Sequence, residues 1–429
     1  MMSLTDALSR TLLLMRTDLD APVEDTDLLE ALTSVRVAVH CGADAVATHS
    51  GQSAIVTAAL TMARSGHEVW VGGADAAMIG PQPPLGGGSL IDALVATGGD
   101  LLPGRSIRRG APPHADLAVV FGKAAATPRA DRTVAIDATD WSARVAASPM
   151  AWSGSAWPLG GIAAGALVAS EAFRIAMRRL AGHARDRAFF DELYGPSGEV
   201  SFALAPDGTP LGATLPDFDF VSGGAIANAS LFVLARLPGV SGTGRVLDDD
   251  VSALSNLNRN ALLVRSALDI YKVVDLAART GGLAISPEPI RYVAGMEVAP
   301  TVLVGVDDIA SRWAVQSAGP AWLGVGATEG FAVLASSHAP GQPCVGCLHP
   351  NAAAPGGPIP TAAFVSLLSG LLLIARWLRS LGPEGAAVPL QQTFVNALRP
   401  EGWNFGSMPI AANPVCPVGC ATSRSRKAA

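Results

Sequence analysis

The stretch from Phe218 to Asp307 limits the possible folds more than any other part of the chain. It opens with a strand-like apolar run, Phe218–Val221, followed by small residues, Ser222-Gly223-Gly224-Ala225-Ile226-Ala227. An apolar helical pattern comes next, then a second strand pattern, Gly244–Leu247, closed by Asp248. Strand, glycine turn, helix, strand and acid is the order of a nucleotide-binding βαβ unit. Gly223 and Gly224 let the backbone approach a phosphate, and a helix N-terminus favours an anion. An acid closing the second strand is placed to bind ribose hydroxyls. Only two glycines of a G-x-G-x-x-G turn remain, so the turn alone also suits an α/β core that binds nothing.

The residues after Asp248 narrow the reading. Asp248-Asp249-Asp250 leads to Ser255-Asn256-Leu257-Asn258-Arg259, and Lys272 falls on the next helical segment. Asp307 ends another apolar strand and is followed by Asp308 and Arg312. Acids, Asn, Arg and Lys in that order suit a nucleoside triphosphate with its metal better than a dinucleotide. The series resembles the adenylation domain of the ubiquitin-activating-enzyme superfamily, which includes the bacterial adenylyltransferases of molybdopterin and thiamine biosynthesis, MoeB and ThiF. Their pattern is a glycine turn, D-x-D, S-N-L-x-R, a helix Lys, and Asp-Asn with an Arg beyond. This chain departs from it at Ser222, Ala225 and Ala227, where Gly is usual, and at Asp308, where Asn is usual.

The resemblance implies ATP-dependent adenylation of the C-terminal carboxylate of a ubiquitin-like protein, for transfer to a conjugating partner or a sulfur-carrier pathway. It implies Asp307, Arg259 and Lys272 as catalytic residues. Arg259 and Lys272 take the phosphates, and Asp307 holds Mg²⁺ on the triphosphate. The nucleotide is also held by Gly223, Gly224, Asp248 on the ribose, Asn256 near the phosphates and Asp250 in support. An Arg from a partner lobe often reaches the γ-phosphate in this superfamily. Arg10, in Leu-Ser-Arg-Thr-Leu, is the candidate for that role, against a plain surface-helix role.

The first half alternates strand and helix as well, which implies a parallel sheet. Strand patterns fall at Val35–Cys41, His67–Gly73, Asp116–Gly122 and Thr133–Asp137, with a helix at Gln52–Ser65. Gly80 to Pro113 reads as loop with one helical piece, Leu90–Ala96. Pro158-Leu159-Gly160-Gly161 opens an Ala-rich helix, and Gly357-Pro358-Ile359-Pro360 opens another at a similar place in the second half. The expected fold is therefore α/β: two Rossmann-like lobes with mainly parallel sheets, forming a pseudo-dimer in one chain. Residues 1–205 form an inactive adenylation-like lobe without the acid–Asn–Arg–Lys series, and residues 206–429 form the active one. The boundary is expected in Gly198–Asp217, where turn residues cluster. In the second lobe, two strands form a hairpin around Thr328-Glu329-Gly330, before a long helix, Thr361–Leu381.

Of the five cysteines, four form two close pairs, Cys344/Cys347 and Cys416/Cys420. Two such pairs in an intracellular chain favour a four-thiolate zinc site over disulfides. Four protein ligands leave no open position, so this zinc is structural. The wording Cys-x-x-Cys-Leu-His-Pro resembles the superfamily's zinc knuckle. Many members carry a further Cys that takes the activated protein as a thioester, but Leu348–Pro360 contains none. Cys41, the spare thiol, reads as a buried strand residue, and thioester formation stays open.

Charged residues are only 15% of the chain, against 49% hydrophobic, so a large core can be buried and long disordered tails are not expected. A net charge of −6 gives no footprint for nucleic acid. The Arg424–Lys427 end reads as a solvated tail. The longest apolar run, Ala362–Ala375, falls short of the roughly 18–20 residues of a spanning helix. With no signal-peptide pattern, the expectation is a cytoplasmic protein with no membrane partner; further dimerisation stays open. Three other readings remain: adenylation of a peptide or small-molecule carboxylate on the same scaffold, a non-catalytic scaffold that binds a ubiquitin-like protein, and a dinucleotide oxidoreductase.

Overall fold

The computed structural model describes residues 2–124, 126–206, 208–211, 214–352, 357–382, 391–401 and 405–420. The Arg424–Lys427 end lies outside the described residues, as do parts of Gly198–Asp217 and Leu348–Pro360. The first lobe runs α1 (Leu4–Leu19), α2 (Asp25–Thr33), β1 (Arg36–Cys41), α3 (Ala43–Val46), α4 (His49–Arg64), β2 (Glu68–Gly73), α5 (Leu90–Gly98) and β3 (Ile107–Arg109). It continues with β4 (Ala115–Phe121), β5 (Ala130–Ala138), β6 (Ser142–Ala146), α6 (Leu159–Arg179), α7 (Arg187–Tyr194) and β7 (Val200–Ala203). The second lobe runs β8 (Phe218–Val221), α8 (Ala225–Leu234), β9 (Thr243–Leu247), α9 (Lys272–Arg279), β10 (Ala284–Glu288), β11 (Thr301–Val304) and α10 (Ile309–Ser317). Then come β12 (Trp322–Glu329), β13 (Ala332–His338), α11 (Val345–Leu348), α12 (Ala363–Leu381), β14 (Gln392–Asn396) and β15 (Phe405–Met408).

Among the described residues the sheets have the orders β3-β2-β1-β4-β5-β6-β7 and β10-β9-β8-β11-β12-β13-β14-β15. In the first sheet β3 to β5 are parallel, and β6 and β7 add antiparallel. The second repeats this: β10 to β12 are parallel, and β13 to β15 are antiparallel. The orders correspond over seven strands, with β1 matching β8, β2 matching β9 and β4 matching β11, and the second sheet adds β15 at its edge. The α/β class, the two lobes and the mainly parallel sheets are as the sequence implies.

The lobes meet through helices. In the first, α4 packs on α6; in the second, α8 packs on α12; and α12 also touches α4 and α6 across the seam. Helices covered on every side lack a solvated face, so the polar residues they carry, such as Gln52, Thr57 and Arg174, are buried and hydrogen-bonded. Each lobe uses a glycine for close helix approach. A Cβ on Gly165 of α6 would lie 2.7 Å from Thr57 Cβ of α4. A Cβ on Gly370 of α12 would lie 2.5 Å from Ala229 Cβ of α8. By length and apolarity α6 and α12 pass the test for a membrane span. Here they are core helices of this seam, and one apolar cluster runs through both lobes.

Three stretches differ from the sequence reading. The segment read as loop from Gly80 to Pro113 also contains the short strand β3. The turn-rich stretch Gly198–Asp217 contains β7, which completes the first sheet by pairing with β6. Between Lys272 and Asp307 lies the edge strand β10, whose Pro287 is tolerated because an edge strand need not donate on both sides.

Candidate functional site

A cleft of about 430 Å³ opens beyond the C-terminal ends of β8, β9, β11 and β12. From β8 the chain crosses to β9 and β10 on one side, and β11 then starts the other side. Such a reversal leaves a crevice where α/β sheets bind ligands. The volume lies within the usual range for small-molecule sites. Gly224, Asp248, Asp250, Asn256, Arg259, Lys272 and Asp307 all line it, with Arg10, Arg291 and Arg312 as further cations. Gly223 lies behind this wall: a Cβ there would come within 3.0 Å of Lys272 Cβ and 3.3 Å of Asp248 Cβ.

The turn explains how the chain manages with fewer glycines. Ser222 holds a φ of 107°, a value that favours glycine. Its Oγ accepts a hydrogen bond from Gly224 N at 2.9 Å, a local bond that offsets the strain. Asp248 Oδ2 accepts from Gly223 N at 2.7 Å, and its Oδ1 accepts from Asp250 N at 2.9 Å. The acid thus ties the end of β9 to the turn after β8. Lys272, the first residue of α9, pairs with Asp250 at 2.5 Å and lies 3.9 Å from Asp248. In this state the Lys272 charge is balanced by the acidic run rather than held free at the phosphate position.

Asn256 Oδ1 accepts from Ala253 N at 2.8 Å, fixing its own turn and leaving its amide for the cleft. Arg259 donates to Ser255 O and to Asn258 Oδ1. Burial, with Arg10 alongside, pushes the Arg259 guanidinium down to about 10, while Asp307 opposes the fall. It remains cationic at neutral pH. The Asp307 side chain is exposed and, among the described residues, has no hydrogen bond or ion pair. Asp308 is instead the N-cap of α10, accepting from Ser311 N at 2.8 Å. An Asp caps as well as the usual Asn would.

The first lobe reaches into this site. Arg10, on α1, lines the cleft and is not the plain surface residue that the sequence allowed. Thr361 N donates to Arg10 O at 3.2 Å, and Asn258 Nδ2 donates to Thr11 Oγ1 at 2.9 Å. The sequence reading passed over Asn260, which is 1% exposed, lines the cleft and has an Oδ1 with no partner. Its place two residues beyond Asn258 was the available signal.

At the equivalent turn of the first lobe, a carboxylate sits where an anion would be drawn. Asp44 accepts from Lys123 N at 2.8 Å, Ala45 N at 3.1 Å and Trp152 N at 2.9 Å. Burial raises its pKa, but these backbone donors outweigh burial and hold it below the usual carboxylate range. Cys41 is fully buried, and burial, followed by Asp75, pushes its thiol up to about 12. That inert setting matches a structural cysteine.

The four remaining cysteines cluster. Cys344 and Cys416 Sγ lie 3.3 Å apart, Cys347 and Cys420 3.2 Å, and Cys416 and Cys420 3.7 Å. A tetrahedral zinc with Zn–S near 2.3 Å spaces its sulfurs by about 3.8 Å, so the donor set fits zinc. The cluster touches the cleft wall through His349, just past α11. Its Nε2 accepts from Arg312 Nη1 at 3.3 Å, and its carbonyl accepts from Trp313 Nε1 at 2.9 Å.

Residues 36–193 match the family model described as the BilD N-terminal domain. The uncharacterized protein y4jF of Sinorhizobium fredii (strain NBRC 101917 / NGR234) is 29% identical over 228 residues, 51% of this chain and 44% of that protein. The chain thus spans less than half the length of this curated relative. Among solved structures, E. coli MccB with selenomethionine-labelled MccA is similar at 16% identity and a TM-score of 0.39, over 48% of this chain and 66% of that one. E. coli MccB with ATP is similar at 13% identity and a TM-score of 0.39, over 58% of this chain and 74% of that one.

Proposed function

We propose that the chain adenylates the C-terminal carboxylate of a polypeptide with ATP, and that the polypeptide is a ubiquitin-like protein with a flexible Gly-Gly tail. The second lobe, from about residue 206, carries the chemistry; the first, to about residue 205, is non-catalytic apart from lending Arg10. The supporting observation is one cleft lined by Asp248, Asn256, Arg259, Lys272 and Asp307, bordered by three further arginines. The fixed Asp44 carboxylate supports an inactive first lobe.

In this reading a carboxylate oxygen attacks the α-phosphorus of ATP. A P–O bond forms, the α–β bridging bond breaks, and pyrophosphate leaves with the electron pair. Two anions must meet, so fixed cations have to lower the barrier. Arg259 and Lys272 supply them at the phosphates, and Lys272 exchanges Asp250 for phosphate when nucleotide enters. Asp248, already anchored to the turn, keeps lone pairs for the ribose. Asn256 directs its amide at the phosphates, and Arg10 reaches the γ-phosphate. Asp307, unclaimed by protein donors, would hold Mg²⁺, whose charge offsets that of the triphosphate. Zinc on the four cysteines would be structural. The reading stops at the acyl-adenylate, because Cys41 is sealed in the first lobe.

The test is ATP–pyrophosphate exchange with ubiquitin-like proteins encoded beside this chain's gene. Exchange is expected with an intact Gly-Gly tail and none with the tail removed or amidated. Exchange with a short peptide alone would replace the ubiquitin-like substrate with a peptide. ATP binding without exchange on any carboxylate would leave a non-catalytic scaffold.

A further inference from the structure

The loop between β9 and α9 presents Asn256, Arg259 and Asn260 to the cleft, yet its only regular structure is two short 3₁₀ turns among the described residues. Groups of the other lobe hold it: Thr11 takes Asn258, Asp100 takes Ser266, and a buried arginine takes the stretch around Arg259. Arg64, the last residue of α4, is 2% exposed. Its Nη1 donates to Leu257 O at 2.7 Å, and its Nη2 donates to Ala261 O at 3.1 Å and Leu263 O at 2.5 Å. These carbonyls bracket Arg259. One rigid, planar guanidinium therefore sets the direction of three peptide groups, which a lysine ammonium cannot do. Among the described residues no carboxylate forms an ion pair with Arg64. Burial, then Arg279, push it down to about 9, with Asp275 opposing, so it keeps its charge at neutral pH.

The second lobe has a matching contact. Arg236, two residues past α8, is 1% exposed. Its Nε donates to Gln82 Oε1 at 3.0 Å, and its Nη2 donates to Pro83 O. α4 is the long helix after β1, with only the one-turn α3 between, and α8 follows β8, so the two arginines lie at the C-terminal ends of corresponding helices. Each holds the loop after the second strand of the other lobe. Only the loop held by Arg64 carries the Asn–Arg series.

We infer that Arg64 is a positioning residue for the nucleotide site, fixing the backbone of residues 257–263 and through it the reach of Asn256 and Arg259. The inference rests on the adenylation reading. Arg236 is its internal control, with equal burial and a mirrored contact but no cleft residue on the loop it holds. A shift of about 1 Å in a group that aligns substrate is worth about a hundredfold in rate.

The experiment compares Arg64→Lys with Arg236→Lys in the full chain. The readouts are amide hydrogen exchange, melting temperature, and the kcat and ATP KM of pyrophosphate exchange. Lys keeps the charge but not the planar fork; Arg64→Gln, a neutral donor, is the second variant should Lys fail to fold. Arg64→Lys is expected to expose the amides of 257–263 and lower kcat/KM about 10- to 100-fold. Arg236→Lys is expected to expose residues around 82–85, with a similar drop in melting temperature and exchange activity within about twofold of wild type. Equal activity losses in the two variants, or none in Arg64→Lys, would overturn this inference alone. A wild-type chain that neither binds ATP nor exchanges pyrophosphate would overturn the adenylation reading and this inference with it.

Discussion

An Asp307→Ala chain is expected to melt like wild type and to lose ATP–pyrophosphate exchange by on the order of a thousandfold. The two halves of that expectation have separate causes. Asp307 lies three residues past β11, exposed, with no protein donor to lose among the described residues. Removing such a side chain changes folding stability by no more than about 0.5 kcal/mol. Its influence is through its field, which opposes the fall in pKa that burial imposes on Arg259 and Arg312. A carboxylate left unpaired among cations at a cleft is positioned for a ligand cation. On the proposed reading, its loss would remove the metal anchor of the triphosphate and leave the charge developing on pyrophosphate unbalanced. Asp308→Ala is the contrasting variant. It removes the cap of α10 and is expected to cost about 1 kcal/mol of stability while sparing exchange. Comparing melting curves with exchange rates for the two variants checks this. Exchange that persists in Asp307→Ala would remove that residue from the chemistry.

Stripping zinc is expected to have the largest effect on stability. The cluster joins Cys344 and Cys347 to Cys416 and Cys420, segments some seventy positions apart, through sulfurs 3.2–3.7 Å from a neighbour. All four are free of disulfides. Zinc would be the bond common to all four, and metal binding in structural sites contributes on the order of 10 kcal/mol. Elemental analysis is expected to find one zinc per chain. Chelation, or Cys344→Ser, is expected to lower the melting temperature of the second lobe and release the C-terminal segment. It should also weaken nucleotide binding, because the His349 contacts with Arg312 and Trp313 hold the cleft wall. A freshly purified chain without zinc, or a melt indifferent to chelation, would contradict this.

The parts legible in the sequence were those in which one residue type at one spacing has few uses. The run Phe218–Val221, the small-residue turn and Asp248 announced β8, α8 and β9. The cysteine pairs announced their cluster. The short strands β3, β6 and β10 were not legible: so short a run has no period to detect, and none is an apolar run closed by a glycine turn or an acid as β8 and β9 are. Arg64 and Arg236 were invisible for another reason: an arginine ending a helix is usually solvated, and only the seam between lobes shows these two to be buried. Ser222 stands out in the sequence as a departure from glycine, but only its φ and the bond to Gly224 show how the turn tolerates it. Arg10 could be named from the resemblance, yet its aim depends on α1 being tied to Thr361 and Asn258.

The proposed chemistry requires that two lobes of like topology carry one nucleotide site, in the second. Titration calorimetry with ATP and Mg²⁺ measures this directly. One ATP bound per chain is expected, lost in Asp248→Ala, with no binding of NAD(H). Two nucleotides per chain, none, or binding that survives loss of Asp248 would contradict it.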